Sequence, residues 1–244
     1  MSLVLSLFPG IGLLDMAFEE EGFCVVRGPD LLWGGDVRRF HPPAGRFDGV
    51  IGGPPCQAFS ILRNLNPKCG EKHGNLIPEF ERVVGEARPA WFVMENVPAA
   101  PVPEVDGYGV EPVVLRDVWC GGETARERRF SFGGTVARAA RLIEVEPLHT
   151  MNPKPAVLAC ASVRVPVRIG GSGKEKRTWQ PREGNREKGT SGFLAAVRDQ
   201  GLPEWFDLPG FTVSEKLRAV GNGVPLPMGR AIAKAVKLAL EANP

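Results

Sequence analysis

The sequence predicts an α/β fold built on a doubly wound, mostly parallel sheet, and three observations carry that prediction. The apolar run Leu3–Phe8, the turn Pro9-Gly10-Ile11-Gly12, the helically spaced Leu13–Glu21 and the apolar Phe23–Val26 form a strand, glycine turn, helix and strand. That is the first unit of such a fold. Two further short apolar runs, Gly49–Ile51 and Trp91–Met94, each end in a stiff loop, Gly52-Gly53-Pro54-Pro55 and Glu95-Asn96-Val97-Pro98. Reactive side chains, Cys56 and Glu95, stand just past those runs. The carboxyl edge of the strands is where an open sheet of this kind places its ligands.

The bulk numbers agree with one sizeable core and a small appended lobe. The chain has 244 residues, 43% of them apolar and 24% charged, as in ordinary globular proteins. A net charge of +2 announces no nucleic-acid partner by itself, so any such signal has to be local. The five cysteines, at 24, 56, 69, 120 and 160, are odd in number and lack C-x-x-C spacing. They read as free thiols of a reducing compartment rather than a disulfide framework. Cys69 and His73 have a possible ligand spacing but no second pair, so no metal site is expected. The first residues lack a basic leader and run into a glycine turn, and no apolar run approaches membrane-spanning length. A cytoplasmic, monomeric protein without a membrane partner is the expectation.

In chain order, Gly22 ends the first helix and the glycines before it let a ligand approach the backbone at a helix amino end; alone, that turn also fits a simple connection. Past Cys56, residues 63–74 are polar and without a clear period. Asn75-Leu76-Ile77-Pro78 opens a helix whose apolar stripe is Leu76, Phe80, Val83, Val84 and Ala87. Val113–Leu115 is a strand, and Arg126–Phe132 alternates charged and apolar residues, which puts Arg126 and Arg128 on one face. From Thr135 to about Gly192 the composition shifts. Eight basic residues between Arg164 and Lys188 stand against Glu175, Glu183 and Glu187, with Trp179 among them. Both a DNA-contacting surface and a solvated charged loop fit that pattern. The last part returns to the core through turn-forming Leu202–Phe211, a short helix from Ser214 to Val220, the segment Val220-Gly221-Asn222-Gly223-Val224-Pro225, and a closing amphipathic helix.

Taken as residues alone, Cys56 is either a small core hydrophobe or a nucleophile. Its rigid Pro54-Pro55 approach and the polar Gln57 argue against burial in hydrocarbon. Pro54-Pro55-Cys56-Gln57 followed by Phe59-Ser60 resembles the nucleophile loop of DNA (cytosine-5) methyltransferases. Glu95-Asn96-Val97 resembles the family's next motif, and Thr124-x-Arg126-x-Arg128 its Gln-x-Arg-x-Arg, with threonine in place of glutamine. Phe8-Pro9-Gly10-Ile11-Gly12 resembles its first S-adenosylmethionine motif, with Ser6 where an acid is common and Leu13 replacing a third glycine. Val220–Pro225 resembles its final motif, with Gly223 where serine is usual.

The resemblance implies a Rossmann-like methyltransferase domain over 1–134 and 200–244, with a small basic target-recognition region over 135–199. It implies Cys56, Glu95, Arg126 and Arg128 as catalytic, with Arg126 near the base's O2. Phe8, Gly10, Ile11, Gly12, Asp36, Val37, Pro54, Leu76 and Asn222 would border S-adenosylmethionine, and Asp30 would hold its ribose in place of the aligned Pro29. Double-stranded DNA is the implied partner and restriction–modification the implied setting. Three rivals stay open: a tRNA cytosine-5 methyltransferase, a catalytically silent DNA-binding relative, and transfer of a modified group.

Overall fold

A computed structural model describes residues 2–55, 74–145, 153–154, 156–157, 164–166, 179–181 and 190–242. Six strands form one sheet: β1 (Leu3–Leu7), β2 (Cys24–Arg27), β3 (Gly49–Gly52), β4 (Trp91–Asn96), β5 (Val110–Arg116) and β6 (Glu127–Gly134). Their spatial order is β2-β1-β3-β4-β6-β5. The first four run parallel, and β6 and β5 close the sheet in antiparallel fashion. The doubly wound expectation is therefore met, with its switch point between β1 and β3.

Alternation along the strands explains why both faces are covered. In β4, Trp91 and Val93 point to one core while Phe92 and Met94 point to the other, and all four are buried. Helices α1 (Leu13–Glu20) and α5 (Leu226–Glu241) cover the first face and α2 (Ile77–Ala87) the second. Trp91 anchors the first core, stacked 6.2 Å from Phe18 and edge-on to Phe23 at 5.9 Å. Its ring demands the glycine opposite it in register, because a Cβ on Gly49 would fall 2.2 Å from the indole.

Several boundaries differ from the sequence reading for physical reasons. β1 stops at Leu7 because Phe8 adopts φ 55°, a left-handed conformation rare outside glycine. β5 is longer than Val113–Leu115 and contains Pro112, which an edge strand tolerates. β6 starts at Glu127, so Arg126 lies just before it rather than within it. Within 135–199, Val136 and Ala139 near one end and Phe193, Ala196 and Val197 of α3 (Thr190–Asp199) near the other are buried in the core under α1 and α5. Between them, β7 (Arg164–Pro166) and β8 (Trp179–Pro181) pair antiparallel. A final short helix, α4 (Val213–Asn222), precedes α5.

Candidate active site

The carboxyl ends of β1, β3 and β4 lie side by side in the register of the sheet. Gly52 ends β3 and leads through Gly53 and Pro54-Pro55 to Cys56, which itself lies outside the described residues, as do 57–73. Pro54 is tied down from the neighbouring strand: the buried Asn96 donates from Nδ2 to its carbonyl at 3.2 Å and accepts the Val97 amide at 2.8 Å. The Asn-Val step after Glu95 thus fastens the loop that carries the thiol to β4.

Glu95 is 9% exposed at the end of β4. Arg128 Nε reaches its Oε1 at 2.8 Å, a largely buried pair. Its other oxygen lies against Gly53, where a Cβ would sit 2.8 Å from it. So Gly53 makes room for the carboxyl, and β6 supplies its counter-charge. Arg126 goes elsewhere. It is 3% exposed and donates from Nη1 to Val157 O at 3.0 Å and Gly221 O at 2.9 Å, and from Nη2 to Asn222 O at 3.5 Å. The hydrogen bonds of Arg126 thus reach a different segment from the ion pair of Arg128, with the start of β6 between the two residues. Thr124, in the glutamine position, gives its amide and hydroxyl to the buried Asp117. Arg129, unremarked in the sequence, donates to the carbonyls of Pro98, Ala100 and Pro101 and so braces the turn after β4.

The glycine turn after β1 is built for close approach. Gly10 and Gly12 take φ 55° and 82°, and a Cβ on Gly10 would meet nothing within 4 Å. Gly12 caps α1 without a side-chain acceptor, leaving the helix's first amides directed at the turn. Asp30 accepts from Gly10 N at 2.8 Å and from Leu32 N at 2.7 Å, which brings its carboxylate to the rim of the turn. Trp33 stands beside it, donating Nε1 to Gly10 O at 2.7 Å and meeting Phe211 edge-on at 5.9 Å. Asp36 caps the next turn by accepting from Arg38 N, and Val37 is buried. Arg82 of α2 holds that turn through the carbonyls of Val37 and Phe40. Leu76 is buried in the core beneath α2, and Asn222 is exposed at the end of α4.

Beneath the turn sits a cluster the sequence reading missed. Ser6 Oγ donates to Asp15 Oδ1 at 2.5 Å, and Arg27 Nε to Asp15 Oδ2 at 3.0 Å. A carboxylate from the first turn of α1 thus lies against the serine at position 6. Burial pushes the Asp15 carboxyl up, against the pull of Ser6 and Arg27. The Arg27 guanidinium underlies Gly12, where a Cβ would fall 2.5 Å from it. A lone acid among Leu13, Leu14, Ala17 and Phe18 was the available signal. Among the described residues no group of three or more His, Cys, Asp or Glu could hold a metal ion.

An open sheet with a glycine turn after its first strand, and a carboxyl paired with arginine at the end of its fourth, has the architecture of the doubly wound methyltransferases. Solved structures share it. An E. coli candidate DNA modification methyltransferase encoded within a prophage superposes with TM-score 0.64 at 18% identity, covering 99% of this chain and 100% of that one. The Dnmt2 methyltransferase of S. pombe gives 0.56 at 12% identity, with 99% of each chain covered. A sequence profile of C-5 cytosine-specific DNA methylases matches residues 35–159, half of the chain, and the chain belongs to that family. Among curated relatives, the Type II methyltransferase M.HgiDI of Herpetosiphon aurantiacus is 28% identical over 57% of this chain and 55% of its own. M.FnuDI of Fusobacterium nucleatum is 33% identical over 38% and 32%. M.AplI of Arthrospira platensis is 24% identical over 99% and 87%. The chain thus spans about half or less of the first two.

Proposed function

We propose that this chain methylates C5 of a cytosine flipped out of double-stranded DNA, using S-adenosylmethionine and a transient covalent bond to Cys56. The observation that supports this most is the Glu95–Arg128 pair, seated against Gly53 in the loop that leads to Cys56. Ring carbon C5 of cytosine is a poor nucleophile. Addition of a thiolate to C6 moves the ring electrons so that C5 becomes enamine-like.

The residues of the chain then divide the work. Cys56 forms the C6–S bond while charge builds toward N3 and O2. Glu95, ion-paired with Arg128 in the free protein, takes up a solvent proton as the base enters and donates it to N3, while Arg128 is the guanidinium available to O2. Arg126 is engaged with three backbone carbonyls and acts by positioning. S-adenosylmethionine supplies, when bound, an electrophilic methyl group. The glycine turn fits that cofactor, because its backbone is bare at Gly10, and Asp30 and Trp33 offer a carboxylate and an aromatic wall at its rim. After transfer, a base or water removes the C5 proton, the C6–S bond breaks and the thiolate leaves. The target atom is inaccessible inside a duplex, which requires flipping. The basic stretch from Arg164 to Lys188, described only at the backbone of β7 and β8, suits the opened strand.

The test is Cys56→Ala. The variant binds S-adenosylmethionine as the wild type does and transfers no methyl group to duplex DNA, whereas the wild type also forms a stable adduct on 5-fluorocytosine DNA. Turnover by the alanine variant overturns the covalent mechanism. Methylation of RNA and not DNA overturns the substrate.

A further inference from the structure

Four successive carbonyls at the end of α4 are satisfied by two buried side chains from opposite sides of the basic region. Arg126 donates to Gly221 O and Asn222 O. Gln200, fully buried, donates from Nε2 to Val220 O at 2.6 Å and Gly223 O at 3.3 Å. Its backbone carbonyl also accepts the Leu226 amide at 2.9 Å, so one residue touches both ends of the α4–α5 connection. Its Oε1 meets no donor among the described residues.

The same knot gathers the chain on its way into and out of the basic region. Arg126 Nη1 holds Val157 O, the segment at Lys154 pairs with Glu123 and Ala125 through the backbone, and Lys154 Nζ reaches Asp199 Oδ1 at 3.1 Å. The connection at 220–223 in turn abuts the glycine turn's helix, since a Cβ on Gly223 would fall 2.5 Å from Leu13 Cδ1. Last-turn carbonyls buried without donors are costly, and an amide is the neutral side chain that can serve two of them from one nitrogen.

We propose that Gln200 is a positioning residue for the cofactor site: with Arg126 it fixes residues 220–223 against the start of α1, and so sets the wall beside the glycine turn. This rests on reading that turn as the S-adenosylmethionine site. The positioning acts on binding, not on the bond-making step, and it reaches the site from the chain that leaves the basic region.

The test uses the full chain and two variants, with S-adenosylmethionine affinity measured by equilibrium dialysis alongside methyl transfer. Gln200→Leu keeps the volume and removes both donors. It binds S-adenosylmethionine about ten-fold more weakly, the factor expected for a lost buried hydrogen bond, while kcat stays within about two-fold at saturating cofactor. A fall in melting temperature with unchanged affinity overturns the proposal. Gln200→Glu gives a signature no general loss of packing would give. Its carboxylate faces two carbonyl oxygens, and burial raises its pKa. The protonated acid is shaped like the amide and donates again. Among the described residues, the charged groups nearby include Arg126 across the connection and the Asp199–Lys154 pair one residue back. Affinity in this variant recovers toward wild type as pH falls from about 8 to about 6, against the wild type's own profile. A profile parallel to wild type overturns the proposal even if the leucine variant does not fold. Failure of the wild type itself to bind S-adenosylmethionine overturns the cofactor reading, and this proposal with it.

Discussion

Gly53 carries no function of its own, yet the position of Glu95 depends on it. Adding one methyl there puts a carbon 2.8 Å from Glu95 Oε2, and the flexible end of that side chain then has to give way. Gly53→Ala is expected to lower methyl transfer about 100-fold, the scale of a displaced proton-holding group, with little change in melting temperature or S-adenosylmethionine affinity. Steady-state kinetics beside a thermal melt checks this, and an alanine variant of wild-type kcat would mean that Glu95 is not held by that contact. At this scale the sequence was readable where backbone chemistry forces a conformation. The Asn-Val step after Glu95 announces a fixed turn, and Asn96 holds Pro54 and Val97 through its side chain. It was unreadable where a partner is chosen in space. A spacing of two cannot say that Arg128 pairs with Glu95 while Arg126 turns to Val157 and Gly221. Nor can a serine at position 6 say that it will bond the buried Asp15 of α1.

Among the elements, α4 is short and lies at the end of the chain's return to the core, so its caps matter. Thr212 and Glu215 form a capping box: Glu215 accepts the Thr212 amide at 2.8 Å, and Thr212 Oγ1 accepts the Glu215 amide at 3.4 Å. Thr212→Ala is expected to cost about 1 kcal/mol, read as a fall of roughly 2–4 °C in melting temperature for a domain of this size. Because α4 ends in the 220–223 connection, weaker cofactor binding should accompany it, and an unchanged melt would show the cap to be idle. Strands and amphipathic helices were legible because alternation and helical spacing survive in one sequence, as in Trp91–Met94 and Ile77–Ala87. Helix α3 is not legible in the sequence, although Phe193, Ala196 and Val197 carry its buried stripe. The strong basic signal upstream masked a short apolar period.

For the molecule as a whole, pH dependence has two opposed sources. Glu20 is held below the usual carboxylate range by its hydrogen bond to Arg230, so its contribution is present above the unfolded value and is lost on acidification. Asp117 is the opposite case. It is fully buried, and desolvation raises it above 3.8 despite the bonds from Thr124. The folded state then binds the proton more tightly than the unfolded one, so stability falls as pH rises from 3.8 through the raised value. Asp117→Asn cannot ionise. The melting temperature of the variant relative to wild type is therefore expected to climb as pH rises above 3.8, and a difference that does not change with pH would contradict it.

The pairing of α5 with α1 has a consequence for biosynthesis. Arg230 of the closing helix clasps Glu20 of the opening one across 210 residues, and Gly229 approaches so near that a Cβ would come 2.9 Å from that of Ala17. At translation speeds of about 5–20 residues per second, α1 leaves the ribosome roughly 10–40 s before α5, which packs on one side of it, exists. Phe23 and Trp91 reach Phe18 sooner, so what stays uncovered through that interval is the side of α1 that faces α5, and removal of α5 is expected to expose it.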